Sequence, residues 1–304
     1  MKTRGLYFFG LLCCLSLSQC QTVSVGNKGE TSGQVPQMEG YKLVWSDEFD
    51  VDGKPDSAFW SYEEGLVRNN ELQYYQADNA TVKNGLLVIE GRREKVWNKA
   101  YKPGSSDWRK RQEYAGYSSS SIHTRGKKEF QYGIVEVRAK VDTASGMWPA
   151  IWTLGITRPW PANGEIDMME YYIVDGTPSI LANMAWKEGA NGVAWDSEKI
   201  PLTKFLAKDP DWPNKFHVWK MDWTEDYIKL YLDEELLNQV NLRDTKNPDS
   251  SNGFLQPHYL LLNLAIGAKG GEPAKTPFPK IYEVDYVRVY QKVKGRTGDT
   301  TMVE

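Results

Sequence analysis

Cysteine is almost missing from this chain. Of its 304 residues only Cys13, Cys14 and Cys20 are cysteines, and all three lie at the start. The body can therefore hold neither a disulfide frame nor a cysteine metal site. Histidine is as scarce. His123, His217 and His258 stand far apart, which leaves no clustered ligand set for zinc. Charge of one sign is not in excess either, and a net charge of −3 gives no electrostatic case for a nucleic-acid partner. There is no internal repeat. The apolar run Leu6 to Leu17 is too short to span a bilayer comfortably.

Aromatic residues are plentiful, with 12 Trp and 17 Tyr. They suit stacking on sugar rings, and they equally suit the core of a large β-sandwich. A sandwich of about 250 residues can form one domain, so one all-β domain is expected.

The chain is organised around Gly164-Glu165-Ile166-Asp167-Met168-Met169-Glu170. Glu165 and Asp167 are two apart and share a face of a strand. Glu170 is five from Glu165, an odd offset, so a regular strand would turn it away. One extra residue near Met168-Met169, a β-bulge, puts all three acids on one face, and bulges are common beside active sites. The apolar Ile166, Met168 and Met169 then take the buried face and fix the register. Paired carboxylates with separated roles are the equipment of glycoside hydrolysis, and a retaining enzyme needs them about 5–5.5 Å apart. A flat strand would leave Glu165 and Glu170 with Cα atoms roughly 13 Å apart, so the strand must bend.

This stretch resembles the E-I-D-x-x-E signature of glycoside hydrolase family 16, the group of laminarinases, agarases and related endo-glycanases. Gly146-Met147-Trp148-Pro149-Ala150-Ile151-Trp152-Thr153-Leu154 resembles the family's G-x-W-P-A-x-W-x-L segment, Trp45 to Phe49 its W-x-D-E-F start, and Val284 to Tyr290 its V-D-Y-V-R-V-Y ending. The resemblance covers roughly residues 39 to 293. It implies a β-jelly-roll of two curved antiparallel sheets with a concave cleft. It also implies Glu165 as nucleophile, Asp167 as its partner and Glu170 as acid/base. Asn69, in Asn69-Asn70-Glu71-Leu72-Gln73-Tyr74-Tyr75, is expected to hold a sugar hydroxyl, and Asn263 is expected near the cleft. Trp148 and Trp160 are expected to meet the glycan. Alternation turns Tyr171 or Tyr172 to the cleft, and Tyr172 is the choice. Catalysis needs no cofactor. Many members hold a structural calcium, whose ligands here would be Glu48, Gly85 and Asp285, partly through backbone oxygens; oxygen-only ligation suits calcium.

Three departures from the family pattern bear on the substrate. Ser121 stands where an arginine is usual, and one hydroxyl replaces a five-donor fork. Asn183 stands where many laminarinases have histidine, with Trp186 nearby as an apolar substitute. Gly267 to Gly271 lacks the loop tryptophan. Residues 95–115, with Lys95, Lys99, Lys102, Arg109, Lys110 and Arg111 around Trp97, Tyr101 and Trp108, read either as a solvated loop or as a cleft wall touching an anionic glycan.

Residues 1–20 read as an export signal, with Lys2 and Arg4 before the apolar run. Leu17-Ser18-Gln19-Cys20 resembles a bacterial lipoprotein box that would lipidate Cys20, with ordinary signal cleavage left open. Residues 21–38 read as a flexible tether and 294–304 as a polar tail. The expectation is an exported monomer, in the cell envelope or secreted, whose only membrane contact is the anchor. It is a retaining endo-hydrolase of a β-linked polysaccharide, foremost a β-1,3-glucan. A galactan or host glycan is the alternative substrate, transglycosylation an alternative outcome, and a non-catalytic carbohydrate-binding protein the alternative class.

Overall fold

Strict alternation sets the outer of two sheets. In Gly133–Lys140, Val135, Val137 and Ala139 point inward, and in His217–Trp223, Trp219, Met221 and Trp223 do the same. These strands pair with each other, and Lys280–Lys292 flanks the first on its other side. The sheet runs Glu235–Asn241, Tyr227–Leu232, His217–Trp223, Gly133–Lys140, Lys280–Lys292, Leu86–Gly91, Ala80–Lys83, with Tyr41–Asp47 also on Lys280–Lys292. The Asn84-Gly85 hairpin forms as expected, with both residues at positive φ.

The second sheet runs Gly192–Pro201, Thr177–Glu188, Glu165–Val174, Met147–Gly155, His258–Ile266, Ser121–His123, Ser61–Tyr62, with Glu129–Phe130 also on His258–Ile266. Its inner strands are near-continuously buried because both of their faces are covered. One face joins Ile151, Ile166, Met168, Met169 and Leu262 to the inward residues of the outer sheet in a common core. The other face carries Ala150, Trp152, Tyr259 and Leu261 as a separate apolar floor. This is the expected antiparallel jelly-roll sandwich. The computed structural model describes residues 37–293; the export signal with Cys20, the tether to residue 36 and the tail from 294 lie outside the described residues.

The bulge falls where the sequence places it. Asp167 pairs with Asn183 and Glu170 with Leu181, so Met168 and Met169 together oppose Ala182 alone. On the other side Trp152 pairs with Asp167 and Ile151 with Met169, which skips Met168. Both methionines enter the core, and the three acids share the opposite face.

Some elements were not legible in advance. Tyr117 to Ile122 breaks at Ser120 into Tyr117–Ser119, which pairs in parallel with Gln73–Tyr75, and Ser121–His123. A short helix, Leu202–Lys208, follows Pro201 and buries Leu202 and Phe205, three apart on one helix face. Trp186 packs edge-on against Phe254 among the core residues, so it does not stand in for the missing histidine in the cleft.

The loop carrying Trp160 closes on Gly155. Asn163 Nδ2 donates to the Gly155 carbonyl (3.0 Å), and Gln256 Nε2 donates to that of Asn163 (2.9 Å). A Cβ on Gly155 would lie 2.1 Å from the Asn163 oxygen. Gly155→Ala is expected to lower stability by about 1–3 kcal/mol in urea unfolding. Gly116→Ala, with nothing within 4 Å of its added carbon, is the near-neutral control. Equal midpoints for the two variants would contradict the close approach.

Candidate active site

The bulged strand sets out three rows across the sheet, because directly paired residues share a face. Leu154, Glu165, Ala185 and Trp195 form one row. Trp152, Asp167, Asn183 and Ser197 form the next, and Ala150, Glu170, Leu181 and Lys199 the third. A cavity of about 720 Å³ lies over them. Glu165, Asp167 and Glu170 all line it, as do Asn69, Trp148, Trp160, Tyr172 and Asn263. Every residue expected to meet the glycan is therefore at the same cavity.

Each carboxylate is held by named donors. Trp160 Nε1 donates to Glu165 Oε2 (2.7 Å), and Trp148 Nε1 donates to Glu170 Oε1 (2.8 Å). Asn183 Nδ2 donates to both Asp167 Oδ2 (3.2 Å) and Glu170 Oε2 (3.0 Å). Burial pushes the Glu170 carboxyl up to about 8; the charge of Glu165 adds to this, and the bonds from Trp148 and Asn183 oppose it. Burial also raises Asp167 well above the usual range, with the charges of Glu170 and Glu165 contributing. Glu165 is raised by burial, against the bonds from Trp160 and Asp167. The hydrogen bond between Asp167 and Glu165 favours the proton on Asp167 and the charge on Glu165. The strand thus keeps one glutamate charged and its neighbour protonated, the division of labour that glycoside hydrolysis requires.

The model of Glycosyl hydrolases family 16 matches residues 68–288. A β-glucanase of Rhodothermus marinus is 34% identical over 281 residues, covering 87% of this chain and 89% of that protein. The chain belongs to glycoside hydrolase family 16. Among solved structures, the laminarinase catalytic domain of Thermotoga maritima MSB8 is 32% identical with a TM-score of 0.69, covering 84% of this chain and all of that one. A structure described with endo-acting O-glycanases of the human gut microbiota that initiate mucin breakdown is 33% identical with a TM-score of 0.77, covering 86% of this chain and 94% of that one. The chain is a glycoside hydrolase.

This family 16 site has a further wall that the sequence did not reveal. Asn69 and Asn70 sit at positive φ in consecutive positions, which asparagine tolerates, and Asn69 Nδ2 donates to Glu71 (3.2 Å). Glu71 is buried and also accepts from Gln73 Nε2 (2.7 Å). Arg68 binds both oxygens of Glu63, and its guanidinium lies 5.0 Å from the Trp152 ring and 6.0 Å from that of Tyr75. Ser121 donates to the same Glu63 (2.6 Å). The guanidinium at this wall of the cavity is that of Arg68, anchored through a glutamate that Ser121 helps hold. No local spacing signals that anchor, because Ser121 meets Glu63 only in the fold. Asn263 accepts from Trp152 Nε1 (2.7 Å) and donates to Tyr75 (3.2 Å), which gives that buried amide the partners it needs.

Of the two readings of residues 95–115, the loop outside the cleft is the one that fits. None of residues 95–115 lines the cavity; the segment packs Val96 and Trp108 on Leu66, Tyr74 and Ala115. Glu48, Gly85 and Asp285 do come near one another, at the gap on Lys280–Lys292 between Leu86–Gly91 and Tyr41–Asp47. Yet Arg288 takes both oxygens of Glu48 (3.0 and 2.8 Å), and Arg138 pairs with Asp285. Two guanidinium groups neutralise both carboxylates and repel a divalent ion, so these side chains do not fit a calcium site. No step below passes through a metal.

In the roles that the family resemblance implies, hydrolysis needs Glu170 protonated and Glu165 charged. The kcat/KM profile is expected to fall on the alkaline side through about pH 8, as Glu170 loses its proton. It is expected to fall on the acid side at a pH above the ordinary glutamate range, where Glu165 gains one. Trp148→Phe removes a donor that favours the charged Glu170 and should move the alkaline limb upward. An unmoved or downward-moving limb would contradict the assignment.

Proposed function

We propose that the protein is a retaining endo-hydrolase of β-1,3-linked glucan. The observation that carries the mechanism is the placement of Glu165 and Glu170 on one face across the bulge, each tied to an indole. Glu165 attacks the anomeric carbon while Glu170 gives its proton to the leaving oxygen, so the glycosidic bond breaks and a glycosyl ester forms on Glu165. Asp167, protonated, holds the attacking carboxylate by a hydrogen bond. Once Glu165 is esterified its charge is gone, and the repulsion that helped raise Glu170 goes with it. Glu170, which has given up its proton, then stays ionised more readily and takes a proton from the water that frees the sugar. Both glutamates are retained here, which speaks against a purely carbohydrate-binding role.

The glucan assignment is supported by likeness to the β-glucanase and the laminarinase domain. The second reading is a galactan or host glycan. Ser121 in place of an arginine, Asn183 in place of histidine, and likeness to the O-glycanase structure favour it.

Glu165→Gln should abolish turnover. Glu170→Gln should lower kcat by about 10²–10⁴, and both variants should melt like the parent. Near-normal hydrolysis by either would refute the roles. Products from laminarin, mixed-linkage glucan, agar-type galactans and mucin-type glycans decide the substrate: laminarin oligosaccharides are expected, and cleavage of the mucin or galactan arm alone would replace the first reading with the second.

A further inference from the structure

Two lysines line the catalytic cavity without an acidic partner. Lys199 lies in the Glu170 row, two strands away on the edge strand Gly192–Pro201, with Cα atoms roughly 10 Å apart. Lys269 comes from the opposite side, on the loop after His258–Ile266, with its Nζ 5.9 Å from the centre of the Tyr172 ring. Eight lysines of the protein pair with carboxylates; these two form no salt bridge among the described residues, and they are the ones that line the cavity. Both are exposed, yet both face a cleft rather than open surface.

The edge strand presents more than a charge. Trp195, Ser197 and Lys199 alternate onto the cavity side, opposite Glu165, Asp167 and Glu170 through one intervening strand. Trp195 is 48% exposed although it is large and apolar. It can stack on a sugar only because its neighbour across the strand is the small Ala185. A stacking ring, a hydroxyl and a cation in one line are the parts of a glycan subsite. The loop bearing Lys269 is also the one that lacks the family's tryptophan, so a cation stands where an apolar contact would be expected.

An ammonium group left unpaired beside three crowded carboxylates is open to an incoming anion. Lys269 lies over Tyr172 and Lys199 lines the same cavity from the edge strand, and neither is among the hydrogen-bond partners of the catalytic acids. From this arrangement we infer that Lys199 and Lys269 form an anion-binding subsite beside Tyr172, which takes a glycan bearing a sulfate ester or carboxylate near the scissile bond. Trp195 carries the sugar chain past it. This rests on the hydrolase reading above and adds the charge of the substrate to it.

The test compares matched substrates on one backbone: laminarin, laminarin sulfate and carboxymethyl-laminarin, with agarose oligosaccharides and their sulfated forms as a second set. The quantity read is the ratio of kcat/KM for the anionic member to that for the neutral member, at low and at high salt. The parent should favour an anionic member, and salt should weaken the preference. Lys199→Gln with Lys269→Gln should lower the ratio about tenfold, while Lys199→Arg with Lys269→Arg should keep most of it. The sulfate and carboxymethyl arms separate the two anion types. A ratio unchanged by the glutamine pair, or a parent that favours the neutral member, overturns the inference. If no laminarin arm is cut at all, the glucan reading falls by itself, and the ratio is then read on the agarose set.

Discussion

The site depends on one irregularity in one strand. Without the two-against-one pairing at Met168 and Met169, Glu170 would face the core and Met169 the cleft. The bulge is stabilised from behind. Two unbranched methionines fill the space between the sheets, and such side chains adapt to an uneven backbone. The same kink that lets the core close turns all three carboxylates to the cavity, so packing and site are set by a single extra residue.

Electrostatics then divides the labour. Three acids in a dry row cannot all ionise, and burial raises all three. Their surroundings separate them. An indole and a protonated neighbour hold the charge on Glu165, and Arg68 adds a favourable field from across the cleft. Glu170 has an indole and an amide yet stays high, because burial dominates. Arg68 is itself held in place by Glu63, which Ser121 also binds, so the cleft keeps a fixed cation at this wall.

Much of this was legible in the residues. The odd offset of Glu170 required a bulge, and the alternation of Trp219, Met221 and Trp223 and the Asn84-Gly85 turn located strands and a hairpin. Trp148, Asn69 and Asn263 were found from the family's segments, Trp160 from its place just before the acidic stretch and Tyr172 from alternation, and all five lie at the cavity. What stayed hidden depends on contacts between distant segments. Nothing local joins Arg68 to Trp152 or Ser121 to Glu63, or sets Trp195 and Lys199 in the rows of Glu165 and Glu170. The pairing of the expected calcium ligands Asp285 and Glu48 with Arg138 and Arg288 was hidden for the same reason, since these arginines reach them only across the folded sheet.

The central claim is that the bulge brings Glu165 close enough to the sugar to bond it, rather than leaving room for a water. Proton NMR of the first product released by the unmodified enzyme tests this directly. A β-linked substrate should yield the β anomer first, with the α form appearing only by mutarotation. Initial release of the α anomer would mean a single displacement by water, and the account of this strand would be wrong.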